Sequence, residues 1–182
     1  MEFHDIDKVF ILSYNKVKNL RGVPRKKRRA MILCFAGHSL VPHREYVKRI
    51  VKEQIRKNVF GKEHILCYLG GYGDFDEICA SACRELKKEF PGIELVYVSP
   101  YLNLSEQSKI KESLRLGLYD ESIYPPIENV PPKFAIAKRN EWMMTNADFI
   151  IVYVKYNRGG AYKSLQVAKR KKKRILNICD FI

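Results

Sequence analysis

The sequence predicts an α/β fold of three layers, with an open, mainly parallel β-sheet between two layers of helices. Three observations point there. Short apolar runs rich in β-branched and aromatic residues alternate with segments of helical periodicity from residue 31 onward, the connections are short, and most runs close on glycine or proline. Runs that are apolar at nearly every position belong to strands covered on both faces, the usual state of a parallel sheet. With 182 residues, 46% of them hydrophobic, the chain suits one domain over residues 31–182 preceded by a short extension.

The first strand is expected at 32–36, ending at Gly37-His38. Residues 44–58 place Tyr46, Val47, Ile50, Val51 and Ile55 on one helical face. A strand at 64–69 leads into the turn 70–74, and a helix from about 75 to 90 is stopped by Pro91-Gly92. The strand 93–98 ends in Ser99-Pro100-Tyr101, Ser105 caps a helix to 116, and 121–124 form a short strand before Pro125-Pro126. Pro131-Pro132 introduces a helix to about 146. The run D-F-I-I-V-Y-V at 148–154 is a central strand, followed by Gly159-Gly160, a helix at 161–172 and a last strand at 174–178. This order is Rossmann-like. In such sheets ligands bind outside the carboxyl ends of the strands, near a switch in strand order. Gly37-His38, residues 70–76, Pro100-Tyr101 and Gly159-Gly160 all fall on that edge.

The net charge of +14, from 34 Lys and Arg against 20 Asp and Glu, favours anionic partners such as nucleotides or nucleic acid. No apolar stretch approaches the ~18 residues of a membrane span, so no membrane partner is expected. The five cysteines are an odd number without paired C-x-x-C spacing, which suits reduced thiols in a cytoplasmic protein. Cys79 and Cys83 lack companion ligands in the sequence, so neither a metal site nor a cofactor is expected. Residues 1–30 hold nine Lys and Arg against three Asp and Glu and have little to bury. They are read as a poorly ordered basic extension, or as an upstream piece of the reading frame with Met31 as the biological start. The acidic beginning argues against a signal peptide, while a nucleic-acid-binding tail remains an alternative.

A glycine turn between a strand and a helix lets backbone N–H groups converge on an anion, although it is also ordinary α/β punctuation; Gly159-Gly160 admits both readings. Lys138, Arg139 and Asn140 begin a segment from which a guanidinium can enter the same crevice, and Arg139 is the first choice for a phosphate ligand because its forked donors match phosphate oxygens. The loop Gly70-Gly71-Tyr72-Gly73 lacks both G-x-G-x-x-G and a Walker lysine, which argues against dinucleotide binding and P-loop hydrolysis. Its amides can still face a phosphate, with Asp74, Asp76 or Glu77 on ribose hydroxyls; Asp74 or Asp76 can equally cap the helix. His38 is read as a phosphate donor, an acid or base, or a plain loop histidine. The basic run 169–174 most simply marks a solvated helix end, since no aromatic residues interleave with it.

Together these motifs resemble the SLOG superfamily, the Rossmannoid group that includes DNA-processing protein A and the lonely-guy phosphoribohydrolases, and most closely its small bacterial YpsA-like branch. The resemblance covers about residues 31–178. C-F-A-G-H corresponds to the family's F-T-G-H-R turn, L-G-G-Y-G-D-F-D to S-G-G-A-x-G-x-D, and V-S-P-Y follows the third strand. K-R-N-E-W-M-M-T-N-A-D followed by R-G-G matches R-N-x-x-M-x-x-x-S-D followed by G-G-T. The resemblance implies a nucleotide or nucleotide-derived ligand bound by Gly37, His38, Gly70, Gly71, Asp76, Arg139, Asn140, Gly159 and Gly160. Ser39 stands at the usual arginine and Ala161 at the usual threonine. The expectation is a binding or sensing module, with a homodimer as an option. One rival is a nucleoside-monophosphate phosphoribohydrolase. There Arg139 matches the catalytic arginine but Gln166 occupies the glutamate position and lacks the charge to act as a base, so Asp76 or Glu77 would have to serve. A second rival is a single-stranded DNA-binding protein related to DNA-processing protein A.

Overall fold

The computed structural model describes residues 30–59 and 61–182; the basic extension expected at 1–30 lies, apart from Ala30, outside them. Six strands form one sheet: β1 (Met31–Gly37), β2 (Ile65–Leu69), β3 (Ile93–Val98), β4 (Glu121–Ile123), β5 (Phe149–Tyr153) and β6 (Arg174–Asn177). Their order is β4-β3-β2-β1-β5-β6, and every pairing is parallel. The chain runs outward from β1 to β4, then crosses back to place β5 on the other side of β1. The switch point therefore lies between β1 and β5, at their carboxyl ends.

Register explains the two layers. Leu33 pairs with Phe149 on one side and Cys67 on the other, and Cys67 pairs with Leu95, so these four form one row across the sheet. The next row, Ile150, Cys34, Tyr68 and Val96, points to the opposite face. The first row packs against helices α1 (Arg44–Val59) and α2 (Asp74–Lys87), through Val47, Ile55, Ile78 and Cys79. Helices α4 (Pro132–Asn146) and α5 (Gly159–Arg170) cover the second row with Met143, Met144, Leu165 and Ala168. Helix α3 (Leu104–Arg115) buries only Glu106 and Ile110, and a short 3-10 turn (Ile178–Phe181) closes the chain. All five cysteines are free, and no helix of the described residues is long and apolar enough to cross a membrane.

Two helix starts differ from the sequence reading. Asn103, not Ser105, caps α3: its side chain accepts the N–H of Glu106 at 2.9 Å, which starts the helix one residue before the serine. Helix α5 begins at Gly159, so the glycine pair is its first turn and not a loop ahead of it. Arg158 is extended (φ −151°, ψ 162°), and the chain turns from it into the helix through Gly159 at φ +82°, a conformation that side-chain-bearing residues resist.

Candidate functional site

Two glycine-containing loops meet the sheet's carboxyl edge near the switch point. After β2, the loop 70–73 folds over the first turn of α2 and delivers its N–H groups to Asp76. The Tyr72 N–H donates to Asp76 Oδ2 at 3.0 Å, and the amides of Gly71 and Gly70 also favour the charged form of this carboxylate. Burial pushes Asp76 up from 3.8 to about 6, opposed by those amides and by the Arg139 guanidinium. On the other side of Gly70, Arg139 Nη1 donates to the carbonyls of Gly70 (2.8 Å) and Val98 (2.6 Å). Gly70 must lack a side chain, because a Cβ would fall 2.6 Å from Arg139 Nη1 and 2.9 Å from Asp76 Oδ2. Arg139 is 1% exposed, and its Nε is buried without a hydrogen-bond partner. The loop is thus held by an anion from α2 and a cation from α4.

The loop after β5 is different. His38, at the end of β1, accepts the N–H groups of Lys155 (3.1 Å) and Tyr156 (3.2 Å) through Nε2, which requires a neutral ring with the proton on Nδ1. Burial and the Arg158 cation hold His38 below its ordinary 6.5, in keeping with that role. Beyond this anchor, residues 155–160 are exposed, and nothing lies within 4 Å of where a Cβ would stand on Gly159 or Gly160. No side chain caps α5, and its first turn holds no acidic residue. Its first N–H groups have no acceptor within the helix, and the exposed Lys155 and Arg158 precede them in the chain, with the positive end of the helix dipole behind them.

Between the loops lies a cavity of ≈ 60 Å³, lined among others by Gly37, Gly70, Tyr72, Asp76, Arg139, Asn140, Ala161 and Ser164. That is about the share of two water molecules in the liquid, so it is the floor of a cleft and not an enclosed nucleotide pocket. Ser164 Oγ donates to the Gly160 carbonyl at 3.1 Å. A separate cavity of ≈ 170 Å³ lies on the far side of Gly71, against Tyr97, Tyr119 and Ile110. A larger depression, ≈ 560 Å³, runs between α1 and α2 far from the switch point, and its Lys48 and Lys52 are ion-paired with Glu85.

Solved structures share this fold. DNA-processing protein A from Streptococcus pneumoniae matches with a TM-score of 0.54 at 14% identity, over 80% of this chain and 49% of that one. DNA-processing protein A from Helicobacter pylori, described for its single-stranded DNA binding mode, matches with 0.52 at 16%, over 80% and 63%. The chain shares the Rossmann-like fold of these two proteins. It spans about half to just under two thirds of the length of these proteins. The molybdenum cofactor carrier protein from Chlamydomonas reinhardtii gives 0.49 at 13%, over 81% and 75%. No protein-family model matches the sequence, and no curated protein matches it.

Within this fold, the residues named from the sequence divide. Gly37, Gly70, Asp76, Arg139 and Asn140 line the central cavity, Gly71 faces the separate one, His38 anchors the β5 loop, and Gly159 and Gly160 start α5 at the cavity's rim. Neither Asp74 nor Asp76 caps α2: Asp74 Oδ2 accepts the Val41 N–H at 3.0 Å, and the N-cap is Gly73. Sequence reasoning passed over Tyr72 and Ser164. An aromatic between two glycines in an edge loop was the available signal for the first, and a serine four residues after Gly160 for the second.

Proposed function

We propose that this protein is a cytosolic module that binds a nucleotide or nucleotide-derived ligand at the β1/β5 switch point, its phosphate resting on the amino end of α5. One observation carries the reading. Of the two glycine-containing loops on this edge, the one opening α5 has no internal anion, no side-chain cap and open space over both glycines, with Lys155 and Arg158 beside it. A helix start of this kind offers converging N–H groups and a favourable dipole to a phosphate. The net charge of +14 draws such anions in. Binding is a better reading than hydrolysis, because Asp76 is engaged by the loop amides and exposed Gln166 brings no charge to α5. A thermal-shift screen of mono-, di- and cyclic nucleotides tests it. A binder at ~100 times its dissociation constant adds about 2.7 kcal/mol of stability, and a panel without any shift refutes the proposal.

A second reading has its own support. Exposed aromatics at the carboxyl edge and at helix starts each sit by a cation: Tyr156 by Lys155 (5.8 Å) and Arg158 (5.9 Å), and Phe134 by Lys133 (5.0 Å). Basic ground with aromatic platforms suits single-stranded nucleic acid. Salt-sensitive binding of an oligothymidylate without response to mononucleotides would favour it.

A further inference from the structure

We infer that Tyr72 is the stacking platform for a planar base, so that the ligand of the switch-point cleft is a nucleotide and not a phosphosugar; this rests on the phosphate reading of α5. The ≈ 60 Å³ floor is too small for a nucleotide, so whatever binds by a phosphate at α5 must extend across the rim. Tyr72 lines the same cavity as Ala161 and Ser164 of α5, and the residue is 43% exposed. The other large apolar residue exposed on that rim is Ile136, at 37%. Together they offer an aromatic and an aliphatic surface to a flat group.

The tyrosine is held in place before any ligand arrives. Its N–H is fixed on Asp76 Oδ2, and its phenol meets that of Tyr97, which donates to Glu106 at 2.6 Å. The Arg139 guanidinium lies 5.4 Å from the ring centroid, where a cation and the ring attract. A side chain whose backbone is fixed and whose phenol lies against another loses little freedom when a base stacks on it, which is why a half-exposed tyrosine at a ligand edge contributes affinity.

Calorimetry on the full chain with adenosine 5′-monophosphate, ribose 5-phosphate and adenosine tests the inference, using wild type, Tyr72→Ala and Tyr72→Phe. Wild type should bind the nucleotide at least about fivefold more tightly than ribose 5-phosphate, as base stacking on an aromatic side chain implies. Tyr72→Ala should abolish that preference and leave ribose 5-phosphate binding unchanged, whereas Tyr72→Phe should keep it. Equal binding of nucleotide and phosphosugar by wild type, or an undiminished preference in Tyr72→Ala, overturns the platform while the phosphate reading stands. Adenosine binding as well as the nucleotide, with the Tyr72 dependence intact, supports the platform and removes the phosphate site. Binding of none of the three overturns both.

Discussion

The loops after β2 and after β5 are both glycine-containing, both sit on the carboxyl edge, and both lead into a helix, yet one is closed and the other open. In the first, the amides of Gly70, Gly71 and Tyr72 converge on Asp76, and Arg139 takes the Gly70 carbonyl. In the second, His38 holds the N–H groups of Lys155 and Tyr156 and Ser164 takes the Gly160 carbonyl, while the two glycines are exposed with open space where a Cβ would stand. The difference lies in one carboxylate six residues after the first glycine. Where the chain supplies its own anion the loop becomes a structural joint; where it supplies none, an anion-sized place is left for a ligand.

The largest effect should come from breaking the closed loop. Asp76→Ala leaves the loop amides, the Tyr72 N–H first, without their acceptor, and an unsatisfied buried polar group costs about 1–3 kcal/mol. Urea denaturation should show that loss. Arg139→Ala should destabilise comparably, because two strand-end carbonyls lose their donor, and Arg139→Lys should recover part of it. If Arg139→Ala unfolds at the wild-type midpoint, the guanidinium is not a joint, and its place as a ligand residue returns.

Acidity separates the two loops with opposite signs. Asp76 holds its proton more tightly in the fold, at about 6 against 3.8, so this group's contribution falls as pH rises through that interval, by about 3 kcal/mol at most, and Asp76→Asn should flatten the slope. His38 titrates below 6.5 in the fold, so its contribution is present above that value and is lost as pH falls beneath it. Melting temperatures of wild type and His38→Gln between pH 5 and 7 check the second sign: the glutamine variant can still accept an amide but should lose the acid-side decline. The smallest effect on stability belongs to the open loop. Lys155→Ala and Arg158→Ala should each stay within about 0.5 kcal/mol of wild type, while nucleotide affinity falls severalfold.

The fold was legible because its signals are local. The apolar run 148–154 announced a doubly covered strand, and β5 is indeed buried at every position from Phe149 to Tyr153. The amphipathic spacing of α1 named the residues that pack, apart from Tyr46, which is exposed, and Gln54 and Val59, which are buried. The site was legible only as an edge. Which partner each polar residue takes is decided between segments far apart in sequence: Arg139 reaches back to Gly70 and Val98, and His38 reaches forward to Lys155 and Tyr156. No spacing rule encodes those choices. The cap of α3 was missed for a smaller reason, since Asn103 and Ser105 are both good caps two residues apart and only the backbone conformation decides between them.

The most direct test of the open-loop account is Gly160→Asp. A Cβ there meets nothing, and an acidic side chain in the first turn of α5 complements the helix dipole, so the fold should gain up to about 1 kcal/mol. The same carboxylate would occupy the place assigned to the phosphate. Calorimetry with the nucleotide that shifts the wild-type melting temperature most should therefore give a stable variant whose affinity is reduced at least about tenfold. A stable Gly160→Asp protein that binds that nucleotide as tightly as wild type would contradict the assignment of the phosphate to α5.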